Sequence, residues 1–364
     1  MLFNSFSFFI FFVIFFIIYY SLKGNLRIYF CLASSYLFYS FFSLKFLSLI
    51  FFSTLIDFIA GKKIDEAKDT LRIFYLFLSI FLNLLILGIF KYYNFFIDSV
   101  ANLLLLFDIS IEIRTLNIIL PVGISFYTFQ SMSYTLDIYF RRCKVEKKFL
   151  TFATFVSFFP QLVAGPIVRA KKFLPQLNKN LKFRWCNLFL GFEYIIFGFF
   201  LKLCVADRLG IVVDPTFLNP ESFGGLVHMI STIFFSFQIY ADFGGYSLIA
   251  IGVGRILGFN FGINFKRPYL ASSFQDFWRR WHISLSRWLK DYLYIPLGGN
   301  RYGTLNKYKS LLVVMFLGGL WHGASVNFII WGMLHGILLI INDFLKKKKI
   351  RSSQNLNKLI VFFV

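Results

Sequence analysis

The chain has 364 residues, 58% hydrophobic and 22% aromatic, with 38 Lys and Arg against 17 Asp and Glu for a formal charge of +21. Soluble domains are about 45–50% apolar, so this composition, with a mean hydropathy of +0.70, excludes an ordinary soluble protein and predicts an all-α polytopic membrane protein. The basic residues fall between apolar runs and no nucleic-acid-binding motif accompanies them, so they read as cytoplasmic loops under the positive-inside bias, with no nucleic-acid partner.

Apolar segments run at 2–20, 28–43, 46–60, 73–90, 117–139, 151–165, 186–205 and 226–253, followed by 311–342. The N-terminal run lacks a basic n-region and a small-residue cleavage site, so it reads as a retained first span. Lys23 and Arg27 follow that span, Lys62, Lys63, Lys68 and Arg72 the third, and Arg141, Arg142, Lys144, Lys147 and Lys148 the fifth. This pattern predicts an extracytoplasmic N-terminus, with residues 91–115 (carrying Asp98, Asp108 and Glu112) and 206–225 outside. The segment at 151–165 has basic stretches on both sides, which implies a re-entrant piece that does not cross. The expected organisation is a single membrane domain over 1–364. It comprises N-terminal spans at 1–115, a core at 116–345, and a tail at 346–364 that starts an incomplete apolar segment.

Two spans carry polar stripes at helical spacing: Gln130, Tyr134 and Asp137 in the fifth, Gln238, Asp242 and Tyr246 in the eighth. Interhelical hydrogen bonding accounts for the amides and tyrosines. Asp242 is expected to partner Arg255 or to orient a catalytic group. Residues 274–292 read as one amphipathic helix suited to a membrane interface. Phe274, Phe277, Trp278, Trp281, Leu285, Trp288, Leu289 and Tyr292 form the apolar face; Arg279, Arg280, Arg287 and Lys290 form the basic one. His282 sits at the edge of the apolar face, either buried and structural or functional.

The 318–336 stretch, GGLWHGASVNFIIWGMLHG, holds two of the four histidines, His322 and His335. The apolar runs 311–321 and 326–341 are each short for a lone span of about 20 residues. Gly318, Gly319 and Gly323 are expected to break the helix around His322. With cytoplasmic basic residues before and after, the two runs predict a hairpin with His322 near its turn. A histidine there suits a general base, kept neutral by Trp321 and its apolar neighbours, or else a hydrogen bond to another helix. No nucleophile elbow, Walker A loop, dinucleotide fingerprint or HExxH motif is present. The four cysteines form no C-x-x-C pair, and no carboxylate or thiol accompanies the histidines, so no metal site is expected.

Six stretches then resemble the membrane-bound O-acyltransferases, in the branch of the alginate O-acetyltransferases. They are PVGISFYTFQSMSYTLDIY at 121–139, FPQLVAGPIVR at 159–169, YADFGGYSLIAIG at 240–252, NFKR at 264–267, FQDFWRRWHISLSRWLKDYLYIPLGGNR at 274–301 and LWHGASVNFIIWGMLHG at 320–336. The resemblance implies a ring of transmembrane helices with re-entrant segments around a thinned membrane region. It implies that His322, in its W-H-G-A context, is catalytic, and that His282, in W-H-I-S-L-S, is a second, supporting histidine; His335 becomes a structural neighbour. Trp321, Asn327, Asp242, Gln238, Arg279 and Arg280 are taken as substrate-binding. The implied reaction moves acetyl from acetyl-CoA or a cytoplasmic acetyl carrier, a donor substrate and not a bound cofactor, to an exported or cell-surface polysaccharide. It implies an inner-membrane location among lipid and, as partner, an extracytoplasmic glycan acetyltransferase or polysaccharide-export complex. D-alanyl transfer is the enzymatic alternative, a transporter with an intramembrane His the non-enzymatic one. Family members commonly continue past the W-H-G segment, so the apolar run at 359–364 is read as the start of a segment cut short, which leaves an inactive fragment as a third possibility.

Overall fold

The computed structural model describes residues 1–109, 118–163 and 165–348, with 356, 358, 361 and 362. Glu112, Ala164 and most of the 349–364 tail lie outside these residues. Among the described residues there are helices and no strands. Among the described residues five helical stretches are long and apolar enough to cross a membrane: Leu44–Glu66, Asp69–Leu105, Trp185–Leu218, Gly225–Ile256 and Val326–Lys347. The chain divides into two compact units, one of 1–51 with 146–264, the other of 52–145 with 265–364.

The first unit holds α1 (Phe6–Ser21) and α2 (Gly24–Ser40), and the start of α3 (Leu44–Glu66), which runs on into the second. The second unit continues with α4 (Asp69–Leu87), α5 (Tyr93–Leu105) and α6 (Ile124–Tyr139). The chain then returns to the first unit for α7 (Phe149–Ser157), α8 (Phe159–Leu162), α9 (Ala170–Leu177), α10 (Trp185–Phe199), α11 (Asp207–Leu218) and α12 (Gly225–Ile256). The second unit closes with α13 (Phe274–Arg280), α14 (Ile283–Leu289), α15 (Gly303–His322) and α16 (Val326–Lys347).

In the first unit α10 and α11 pack on α12, while α2 packs on α7 and α8. At nine and four residues, α7 and α8 are too short to cross. Phe152, Phe155, Phe158 and Phe159 are fully buried there, against Phe173 on α9. The break between α7 and α8 is enclosed by protein, the setting in which a membrane protein tolerates broken backbone. Arg27 is anchored beside them, with Nη1 donating to Leu181 O at 2.6 Å and its guanidinium 4.8 Å over the Tyr19 ring.

Parts of the two stretches expected to lie outside, 91–115 and 206–225, are helical. A π-helical segment at Gly88–Tyr92 carries α4 into α5, so 91–105 extends a helix of 37 residues. A second, at Phe200–Ala206, carries α10 into α11, and the helix persists to Leu218. In the second, Lys202 is met by Asp207 at 2.9 Å.

In the second unit α3, α4 and α6 enclose a polar cluster. Asp57 is fully buried and accepts from Ser79 Oγ at 2.6 Å, from Asn83 Nδ2 at 2.8 Å and from Ser131 Oγ. Such networks hold spans together where hydrocarbon offers no partner. Gln130, Tyr134 and Asp137 are buried at 2%, 0% and 0% exposure, as is every residue of α6 from Tyr127 to Ile138.

Candidate active site

The site is built on the α15–α16 hairpin. Gly318 and Gly319 do not break α15, which stays helical through His322; only Gly323 ends it, with extended backbone at φ −162°, ψ 152°. Gly319 instead allows contact: a Cβ there would lie 2.2 Å from Phe328 O, and one at Gly332 would lie 2.3 Å from Met315 O. This is small-residue packing of two helices at backbone distance. A Cβ at Gly323 would meet the Phe328 ring at 2.1 Å, so a larger residue there would have to displace that ring. Ser325 then caps α16, its Oγ accepting from Asn327 N at 3.3 Å. The expected hairpin is present, with His322 as the last residue of its first helix.

The carbonyls that end α15 are met from the π-helical segment. Tyr92 Oη donates to Leu320 O at 2.7 Å. Lys91 Nζ donates to Trp321 O and lies 3.5 Å from His322 O. It also donates to Ser125 Oγ, in the first turn of α6, at 3.1 Å.

The expected amphipathic helix at 274–292 is two helices, broken at Trp281 and His282. His282 holds the left-handed conformation, φ 39°, ψ 56°, which few L side chains adopt, His, Asn and Asp more often than the rest. Ser273 caps α13 by accepting from Asp276 N at 3.1 Å, and Asp276 Oδ2 accepts from Arg280 Nε at 2.9 Å. Burial alone would raise the Asp276 carboxyl, but the hydrogen bonds from Arg280 and the Ser272 amide outweigh it and hold its pKa below the ordinary range. The apolar face turns into the protein rather than toward lipid: Trp281, Leu285, Trp288, Leu289 and Tyr292 are buried. Trp288 stacks on Phe129 of α6 with centroids 3.9 Å apart, and its Nε1 donates to Phe129 O at 2.9 Å.

These elements bring His282, Trp321 and His322 together. The Trp321 ring lies 5.0 Å from His322 and 6.0 Å from His282, stacks on Phe129 at 5.3 Å and meets Phe126 edge-on at 5.6 Å. His282 is fully buried, with Phe126 and Phe265 stacked on it at 6.4 and 6.3 Å. Burial, and after it the neighbouring His322 imidazole, push the His282 pKa well below its usual value. His322 is partly exposed and faces Trp331 at 5.2 Å; Trp331 in turn meets His335 at 4.8 Å. His335 also stacks on Phe277 and meets Trp278.

A cleft of about 500 Å³ opens beside α13 and α14, with Trp278, Arg279, Arg287, Lys290, Lys307 and Met315 among its lining. Arg279 faces it, while Arg280 is held by Asp276. Asn327 is exposed on the first turn of α16. Gln238 and Asp242 belong to the first unit: Gln238 Nε2 donates to Asp214 at 3.1 Å, and Asp242 pairs with Lys202 at 2.5 Å. The expected Asp242–Arg255 pair is therefore corrected; the nearer cation comes from the π-helical segment after α10. Sequence reasoning missed Lys91 and Tyr92. A lone lysine inside an apolar run was the available signal. Among the described residues no three His, Cys, Asp or Glu side chains cluster as a metal site.

The chain matches the membrane-bound O-acyltransferase family over residues 28–354 and belongs to it. It is 42% identical over 344 residues to the Probable alginate O-acetylase AlgI of Pseudomonas putida, covering 92% of this chain and 68% of that protein. It is 39% identical to the Peptidoglycan O-acetyltransferase of Helicobacter pylori, covering 85% and 63%, and 32% identical to the Teichoic acid D-alanyltransferase of Streptococcus thermophilus, covering 63% and 58%. The chain thus spans about two thirds of the length of its acetyl-transferring relatives.

Proposed function

We propose that this chain moves acetyl groups from a cytoplasmic donor to hydroxyls of an exported or cell-surface polysaccharide, with His322 as the catalytic group. The observation that carries the reading is His322 itself, a half-buried residue ending a helix at a hairpin turn, with a second imidazole across Trp321. In one route its neutral ring takes the proton from the acceptor hydroxyl as the oxygen attacks the acetyl carbonyl carbon. The carbon–sulfur bond of the thioester breaks, and the thiolate leaves with the proton from the imidazolium. In the other, the ring nitrogen attacks first, the thiolate leaves, and the hydroxyl then displaces the acyl group from imidazole.

The donor is acetyl-CoA or a cytoplasmic acetyl carrier, used as substrate. Arg279, Arg287 and Lys290 give the cleft a cationic rim suited to an anionic donor, with Trp278 and Met315 as apolar lining. The location is the inner membrane, and the partner an extracytoplasmic glycan acetyltransferase or polysaccharide-export complex. Likeness to an alginate O-acetylase and a peptidoglycan O-acetyltransferase supports acetyl as the group moved, and a glycan as acceptor. Likeness to a teichoic acid D-alanyltransferase favours D-alanyl as the second reading. Cells making the protein, fed either labelled acetate or labelled D-alanine, separate the two. Label from acetate is expected in base-labile esters of envelope polymer; label from D-alanine alone would overturn the acetyl reading.

A further inference from the structure

We propose that Lys91 and Tyr92 are positioning residues for His322, acting through the carbonyls at the end of α15. The proposal rests on the reading of His322 as the catalytic group. An α-helix leaves its last four carbonyls without amide partners. α15 ends abruptly, because Gly323 is extended and begins no capping turn. In a membrane bundle, hydrocarbon supplies no donors for the carbonyls left over.

The π-helical segment supplies them from two consecutive residues. Tyr92 Oη takes Leu320 O, and the Lys91 ammonium takes Trp321 O and approaches His322 O. An ammonium has three donors. The third contact of Lys91, to Ser125 Oγ, ties the end of α15 to the start of α6. The cation also complements the negative end of the helix dipole and lies 5.6 Å from the Trp321 ring centroid. Three consecutive backbone positions, the last of them His322, are therefore held by one turn of a different helix. Single-turn π insertions are frequent at functional sites, and here the insertion separates α4 from α5 where Lys91 and Tyr92 reach α15. Holding the backbone of residues 320–322 fixes where the imidazole stands relative to donor and acceptor, and displacement of a reacting group by about 1 Å can cost about 100-fold in rate.

The test uses membranes containing the full chain and labelled acetyl-CoA as probe. It reads transfer to base-labile envelope polymer per folded molecule, folded protein being counted by fluorescence-detected size exclusion. Lys91→Met is expected to lower kcat about 10–100-fold while KM for acetyl-CoA stays within about twofold. Lys91→Arg, which keeps a cation with several donors, recovers most of the loss. Tyr92→Phe, which removes one hydroxyl, costs about 2–10-fold and keeps the test valid if Lys91→Met fails to fold. Wild-type kcat per folded molecule in both Lys91→Met and Tyr92→Phe overturns the proposal, as does a Lys91→Arg variant no better than Lys91→Met. A parallel His322→Ala sample separates the two ideas. Normal transfer there overturns the reading of His322, whereas a dead His322→Ala beside wild-type-like Lys91→Met and Tyr92→Phe overturns only the positioning role.

Discussion

At the scale of single residues, the two paired histidines differ in what holds them. His322 is held by its backbone; His282 is held by its ring, fully buried between Phe126 and Phe265, while its backbone sits in left-handed geometry. That geometry costs an L residue about 1–2 kcal/mol and glycine nothing. His282→Gly is therefore expected to melt at a higher temperature than His282→Ala in detergent, since both lose the ring and only alanine keeps the strain. Equal melting temperatures would show that the backbone conformation is not retained. His322 and Trp321 were legible in the sequence because a titratable residue among glycines in an apolar run is conspicuous. Lys91 and Tyr92 were not, because KYYN at the end of an apolar run looks like the exit from a membrane. Asp242 was seen as an intramembrane carboxylate but given the wrong partner. Arg255 lies on the same helix, whereas Lys202 approaches from a segment whose π-helical register the sequence does not announce.

At the scale of elements, periodicity showed helices well and their interruptions poorly. Aromatic spacing across 274–292 is continuous, yet the backbone breaks at His282; a three-four pattern cannot reveal one residue with positive φ. Of the three glycines expected to break the helix, Gly318 and Gly319 lie inside α15, and Gly319 is a point of contact with α16. Gly319 and Gly332 bring α15 and α16 to backbone distance, which only tertiary packing discloses. Gly332→Ala would place a Cβ against Met315 O with only backbone to yield. It is expected to destabilise the protein by about 1–3 kcal/mol, read as a lower melting temperature and reduced acetyl transfer. Gly225→Ala, with nothing within 4 Å of its Cβ, is the control and should behave as wild type. Equal stability of the two variants would show that the hairpin is not packed this closely.

At the scale of the whole molecule, composition and charge carried the class, and the resemblance carried the family. An all-α membrane protein follows from the apolar fraction, and the ordered motifs from 121 to 336 anticipated the family match over residues 28–354. The division into two discontinuous units was not legible, because it depends on which helices pack together rather than on any linker. The positive-inside pattern puts residues 141–148 in the cytoplasm. Cys143 lies in that stretch and is partly exposed, so a variant keeping it as the single cysteine is expected to react with an impermeant maleimide in inverted vesicles and not in intact cells. Labelling from outside would invert the orientation.

The central claim is that His322 performs the transfer, and one substitution tests it most directly. Loss of a general base or acyl carrier is expected to reduce acetyl transfer about 100–10,000-fold. His322→Ala should leave the protein in the membrane at wild-type levels and strip base-labile acetyl from envelope polymer. Normal acetyl content in cells carrying that variant would contradict the account.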